Sequence, residues 1–189
     1  MTPYQPRWVK GRATTQGERD AETRYVAIRE LLRESIAVTG LPVERVLDLG
    51  AYGGYFSFRL AEDFGCRVVA VDDHPELKLG LDANQNSLVD GIHRRLTPED
   101  VEQLGDFDAV LALSVLHHVP AWKPMLDALL RVTTQYLFIE TPSAQESLPK
   151  AISPLQQVWS EVENLEGRTI ASVAGYDGRY VRDLKVVSM

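Results

Sequence analysis

The apolar and polar positions along the chain alternate between helical and strand periodicity. "TTQGERDAETRYVAIRELLRESIAV" sets Tyr25, Ile28, Leu32 and Ile36 on one face of a helix, with Thr15 and Glu18 at capping-box spacing. "GLP" stops that helix at Gly40. "RVLDLG" reads as a buried strand and "GYFSFRLAEDFG" as a helix ended by Gly65. "RVVAVD" is a strand, and "HPELKLGLDANQNSLV" a helix with Pro75 in its first turn. "IHRRL" predicts a weak strand, followed by a short helix that Thr97 caps and Pro98 opens. "FDAVLAL" and "YLFIET" are clear strands, with the helix "PAWKPMLDALLRV" between them. "SPLQQVWSEVENLEG" predicts a helix with Leu155, Val158, Trp159, Val162 and Leu165 on one face and Gly167 as stop. The end, "RTIASVAGYDGRYVRDLKVVSM", predicts two strands around an Asp-Gly turn, and residues 1–14 read as irregular.

Strands alternating with helices predict a parallel sheet with helices on both faces, an α/β three-layer sandwich. The closing hairpin breaks the alternation, so one of its strands runs against the rest of a mostly parallel, seven-stranded sheet. Near-continuous apolar runs such as "VLALSVL" fit strands covered on both sides. A length of 189 residues suits one domain with a full core. The expected organisation is a single domain over 1–189, with 1–40 as an N-terminal lid and helix region and 41–189 as the core.

Composition removes several classes of function. No apolar run reaches the length of a membrane span, and "MTPYQPRWVKGR" lacks the apolar core of a signal peptide, so a cytoplasmic protein is expected. The single cysteine, Cys66, excludes an internal disulfide and a Cys-rich zinc site, and no metal is expected. A formal charge of −7 argues against broad nucleic-acid binding. Arg7, Lys10, Arg12, Arg19 and Arg24 do crowd the N-terminal segment, as a local basic patch or as a solvated tail and helix face.

The candidate chemistry starts at "VLDLGAYGGYF", where Gly50, Gly53 and Gly54 follow a strand and open a helix. In an open parallel sheet, ligands bind beyond the carboxyl ends of the strands. Glycines let the backbone bend and approach a ligand, and the following helix offers free N–H groups to an anionic one. Asp48 sits at the buried end of the first strand, where it would repel a pyrophosphate and suits a ligand with a cationic end. Asp72 ends the second strand 22 residues after Gly50, where an acid bonding ribose hydroxyls is expected. Together they describe an adenosine ligand whose other end carries positive charge and no phosphate.

From about Arg45 to Met189 the chain resembles the class I S-adenosylmethionine-dependent methyltransferases. "VLDLGAYGG" looks like their first motif, "VVAVDDHP" the second, "FDAVLALSVLHHV" the fourth and "YLFIETP" the fifth strand, and the final hairpin matches their reversed strand. The resemblance implies a Rossmann-like fold and S-adenosyl-L-methionine as cofactor; it does not select a substrate, and an unidentified small molecule is the expected acceptor. It implies cofactor contacts at Asp48, Gly50, Ala51, Tyr52, Gly54, Asp72 and Asp73, and at Leu96, Thr97, Leu113 and Ser114. The family's middle glycine position holds Tyr52, so Gly53 is expected to supply the unusual dihedral, with Tyr52 turned away over the cofactor or packed outside the turn. After the third strand, "RRLTPED" offers Leu96 and Thr97 where an acid often stands.

His117, His118 and Glu140 end strands near the cleft that the resemblance implies. His117 and Glu140 are the candidate catalytic residues, because an oxygen or nitrogen nucleophile needs a base that works near neutral pH. Walling the cofactor pocket is the alternative for His117, and bonding its neighbouring loop is the alternative for Glu140. The Asn/Asp-Pro-Pro-Tyr motif of amino-directed DNA methyltransferases is missing, and Cys66 lies away from where a cytosine-attacking thiolate would sit. "LTPEDVEQLGDFDAVLALSVLHH" is faintly similar to enzymes that modify a tRNA wobble uridine. A noncatalytic cofactor-binding module and a nicotinamide-dependent oxidoreductase remain the rival readings.

Overall fold

The computed structural model describes residues 3–146, 148, 151–175 and 178–189. It divides into two units, Met1–Arg95 and Leu96–Met189.

The first unit begins with a small hairpin, β1 (Trp8–Val9) and β2 (Arg12–Ala13), inside the segment expected to be irregular. Lys10 and Gly11 both take positive φ, as a two-residue hairpin turn requires. Helix α1 spans Ala21–Thr39, shorter than the sequence pattern predicts. Its N-cap is Asp20, whose side chain accepts from the Thr23 N–H, while Thr15 instead accepts from the Arg7 N–H. The Thr15–Glu18 capping box therefore does not form, and the helix starts only where the buried face of Tyr25, Ile28, Leu31 and Leu32 begins. Ile36 is only half-buried.

Strand β3 (Arg45–Leu49) leads into α2 (Tyr55–Phe64), which Gly65 closes in a left-handed conformation. Strand β4 (Arg67–Val71) pairs in parallel with β3, with Asp48 opposite Ala70. Helix α3 covers Glu76–Asn84 with Pro75 as its N-cap. The third strand, β5, is Val89–Ile92 and not "IHRRL": Val89 supplies the buried side chain, whereas Arg94 and Arg95 are exposed.

The second unit opens with α4 (Pro98–Gln103), capped by Thr97 in a capping box with Asp100. Strand β6 (Phe107–Leu113) is buried almost throughout and pairs in parallel with β7 (Thr133–Glu140). A single 3-10 turn, Leu116–His118, and helix α5 (Trp122–Val132) connect them. Helix α6 spans Leu155–Asn164, burying Val158 and Val162 while Trp159 stays exposed. Leu165, not Gly167, is its C-cap. The Lys185 ammonium donates to the carbonyls of Val162 and Glu163 at that end, where unsatisfied carbonyls and the helix dipole favour a cation.

Strands β8 (Arg168–Ala174) and β9 (Val181–Ser188) form the closing hairpin, and β9 lies antiparallel to both β8 and β7. Gly178 of the expected Asp-Gly turn has positive φ; Asp177 lies outside the described residues. The seven strands β3–β9 form one sheet in the order β5-β4-β3-β6-β7-β9-β8. That is the mostly parallel, Rossmann-like α/β sheet with one reversed strand that the sequence predicts. No helix among the described residues is long and apolar enough to cross a membrane.

Candidate functional site

In the first unit, the chain leaves β3 through a turn hung on the neighbouring strand. The N–H groups of Gly50 and Ala51 both donate to the Val71 carbonyl, at 2.8 and 3.0 Å. Gly50 and Gly54 take positive φ, 83° and 78°. A Cβ on Gly54 would also lie 2.6 Å from the Phe58 ring, so this position excludes any side chain on two grounds. Gly53, expected to carry the unusual dihedral, is not among the positive-φ residues; Tyr52 is, with φ 52°. Tyrosine in that region costs roughly 1–2 kcal/mol of backbone strain, so its surroundings must hold it there.

Two contacts do so. The Tyr52 N–H donates to Oδ2 of Asp72 at 2.7 Å. The ring lies 4.7 Å from that of His74 and edge-on to Tyr4 at 5.8 Å. Asp72 Oδ1 accepts from the His74 N–H at 2.8 Å, so backbone N–H groups on both sides orient this carboxylate. Each oxygen keeps lone-pair capacity for a further donor. Asp73 faces outward and pairs with Arg95 at 2.6 Å.

Asp48 is 2% exposed, and its Oδ2 accepts from the Ser57 hydroxyl at 2.6 Å. Burial pushes its carboxyl up to about 6, the Ser57 bond opposes that, and the charge on Asp72 adds to it. Helix α2 starts beside it, and its N-cap, Gly54, offers no side-chain hydrogen bond. An ionised Asp48 thus calls for a cation and the helix end for an anion. An ammonium and a carboxylate on one ligand, followed by a ribose at Asp72, fit this donor and acceptor set.

Gly80, which the sequence reading left unremarked, also shapes the turn. A Cβ there would lie 2.3 Å from the Gly53 carbonyl oxygen, so α3 approaches the turn only with glycine at this point. A glycine inside a helical pattern was the available signal.

In the second unit, the ends of β6 and β7 are joined by polar contacts. Ser114 has φ 58°, its N–H donates to the Glu140 carbonyl at 2.9 Å, and its hydroxyl donates to Oε1 of Glu140. Glu140 is fully buried. Arg182 on β9 donates from Nη1 to Ser114 Oγ at 3.1 Å, and from Nε and Nη2 to the carboxylate of Glu146. All four side chains are buried. Glu146 and Arg182 were missed by the sequence reading. The signal for Arg182 was register, because it shares the inward face of β9 with Leu184 and Val186.

His117 is 3% exposed, its ring 4.0 Å from that of His118. Its carbonyl accepts from the N–H groups of Ile152 and Ser153. Leu96 and Leu113 are buried, and Thr97 is committed to the α4 cap. Among the described residues, no group of three or more His, Cys, Asp or Glu is placed to hold a metal ion.

A turn of this kind on this sheet defines a class of protein, and comparison with known proteins agrees. The model of a methyltransferase-domain family matches residues 19–174. The chain belongs to that family, and its fold is that of the class I S-adenosylmethionine-dependent methyltransferases.

Ubiquinone biosynthesis O-methyltransferase of Xanthomonas campestris pv. campestris (strain B100) is 41% identical over 87 residues, 44% of this chain and 36% of that protein. The protein of the same name from Xanthomonas axonopodis pv. citri (strain 306) is 42% identical over 81 residues, 40% of this chain and 33% of that one. The matches thus span about a third of these relatives' length.

Among solved structures, WbdD, a bifunctional kinase-methyltransferase, shares the fold at TM-score 0.75 and 24% identity, over 92% of this chain and 41% of that one. The N-terminal domain of EvdMO1, crystallised in the presence of S-adenosylhomocysteine (SAH) and D-fucose, gives 0.64 and 20%, over 98% and 90%. Magnesium protoporphyrin IX methyltransferase from Synechocystis PCC 6803, with SAH bound, gives 0.58 and 16%, over 88% and 83%.

Proposed function

We propose that the protein, acting as one domain, transfers the methyl group of S-adenosylmethionine to an oxygen of a small, hydroxyl-bearing acceptor. The observation that carries this reading is the pairing of Asp48, buried and short of a cation, with Asp72, whose two oxygens are already aimed by backbone N–H groups. When bound, the cofactor supplies an electrophilic methyl on a sulfonium. Asp48 receives the ammonium of its amino-acid end, the N-terminus of α2 its carboxylate, and Asp72 its ribose hydroxyls. Gly50, Ala51 and Gly54 let the backbone come close, and Tyr52 walls the turn. Asp73, Leu96, Thr97, Leu113 and Ser114 stand as further cofactor contacts on the sequence resemblance.

Oxygen as the accepting atom is supported by the O-methyltransferase name that the curated relatives share. A hydroxyl must lose its proton as its oxygen attacks. His117 is the group proposed to take it, because an imidazole exchanges protons near neutral pH. Glu140, bonded through Ser114, is proposed to orient the acceptor hydroxyl.

The test has two arms. Calorimetry with SAH reads cofactor binding. Methyl transfer from labelled S-adenosylmethionine, run over a panel of catechols, phenolic acids and free sugars, reads the acceptor. Binding with transfer to a panel hydroxyl supports the proposal. Binding with transfer only to a tRNA or an amine would overturn the acceptor assignment, and binding without any transfer would favour the noncatalytic reading.

A further inference from the structure

The N-terminal segment holds the cations that the sequence singled out, and the methyl-transfer reading gives them no role. It is tied back to its own unit at several points. Arg7 donates from Nε and Nη2 to the carboxylate of Glu76, at 2.9 and 2.6 Å. Trp8 donates from Nε1 to Glu62 on α2 at 2.8 Å, and its ring lies edge-on to Tyr55 and 4.5 Å from the Arg59 guanidinium. Asn84, at the end of α3, donates to the Trp8 carbonyl and accepts from the Lys10 N–H. Tyr4 packs its ring on Tyr52, and its backbone N–H meets the Tyr52 phenol oxygen.

Two of these ties bracket Asp72. Tyr4 bears on Tyr52, whose N–H holds Oδ2 of Asp72. Arg7 bears on Glu76, two residues beyond His74, whose N–H holds Oδ1. The segment therefore touches one residue that orients the carboxylate, Tyr52, and is tied two residues along the chain from the other, His74.

The strengths of the ties are uneven. Arg7 is 46% exposed in its side chain and Glu76 17%, so their ion pair is weak and sensitive to salt. The Trp8 seat adds ring contact with Tyr55 to its contacts with Glu62 and Arg59, so it depends less on salt than an ion pair alone. Pro3 and Tyr4 also accept, through their carbonyls, from the N–H groups of Glu18 and Arg19, so Arg7–Glu76 is the exposed, salt-sensitive tie of a segment otherwise held by backbone and aromatic contacts.

We infer that residues 3–14 are a latched strap over the ribose end of the cofactor site, with Arg7–Glu76 as the latch that sets how fast the cofactor is exchanged. The inference rests on the proposed placement of the cofactor ribose at Asp72. Neither latch residue is among the proposed ligand contacts, so their charges can be exchanged without removing a proposed binding group.

The experiment measures the release of tritiated SAH into an excess of unlabelled SAH, for the parent and for Arg7→Glu, Glu76→Arg and the double charge swap. Each single variant should release SAH about three- to tenfold faster, the scale of losing an ion pair and gaining a like-charge contact. The double swap should return release to near the parent rate. Raising salt should speed release from the parent and leave the single variants little changed.

Single variants that release SAH at the parent rate would overturn the latch while leaving the cofactor reading intact. So would fast release in the double swap, because the effect would then not belong to the ion pair. A parent protein that retains no SAH would overturn the cofactor reading and the strap with it. Trypsin cleavage after Lys10 or Arg12 gives an independent reading: SAH should slow it in the parent and less so in Arg7→Glu, and equal protection would count against the strap.

Discussion

Asp72 is fixed by two backbone donors before any ligand arrives, and that makes it the residue whose loss should be felt most. Hydrogen bonds to charged groups contribute about 1.5–3 kcal/mol. Asp72→Ala should weaken SAH binding roughly 10- to 150-fold by calorimetry, at about 1.4 kcal/mol per tenfold. Asp73→Ala removes only an exposed pair with Arg95 and should change affinity little. If the Asp73 variant shows the loss instead, the ribose is held one residue further on.

Asp48 makes a prediction about pH. Burial pushes its folded carboxyl up to about 6, above the ordinary aspartate value of 3.8. Between those values the folded protein holds a proton that the unfolded chain releases, so this residue makes stability fall as pH rises from about 4 to about 6. Asp48→Asn should remove that slope and raise the ligand-free stability at neutral pH by up to about 3 kcal/mol, read by urea unfolding. SAH affinity of the parent should do the opposite. Its ammonium needs the ionised form, so affinity should climb by up to about tenfold per pH unit below 6 and level off above. An affinity flat from pH 5 to 7 would separate Asp48 from the ligand's cationic end.

At the scale of elements, the periodicity of the chain located the strands and helices well wherever one face was buried. α2, β4, β6 and β9 follow directly from their apolar patterns. It failed where local chemistry competed with the pattern. The spacing makes Thr15 a helix cap, yet its hydroxyl accepts from the Arg7 N–H, and α1 starts at the Asp20 cap. "IHRRL" looked like a strand by its ends alone, while β5 buries the earlier Val89. Tyr52 occupies the left-handed region that the pattern assigns to Gly53, because its ring contacts with Tyr4 and His74 are made across segments and leave no local trace.

The turn and the β6–β7 ends supply element-level tests. Gly80→Ala should destabilise the protein by about 1–3 kcal/mol despite alanine's better helix propensity, because its Cβ meets the Gly53 carbonyl. A gain in stability would mean that α3 can move off the turn freely. Arg182→Met should cost roughly 3–5 kcal/mol, since it strands the buried carboxylate of Glu146. The double variant Arg182→Met, Glu146→Leu should recover much of that loss in urea unfolding, and no recovery would place the cost in Ser114 and Glu140.

Across the whole molecule, sheet type, reversed hairpin and the two acids, Asp48 near the end of β3 and Asp72 just after β4, are legible in the sequence, because each is a short-range pattern. The Arg182–Glu146 pair and the strap's ties were not, since each joins residues more than thirty positions apart. The turn after β3 is proposed to receive a phosphate-free adenosine ligand with a charged amino-acid end. Thermal unfolding in the presence of SAH, NAD or ATP tests it most directly. SAH at about 100 times its dissociation constant should add roughly 2.7 kcal/mol and raise the Tm, while NAD and ATP leave it unchanged. A rise with NAD and none with SAH would contradict the account.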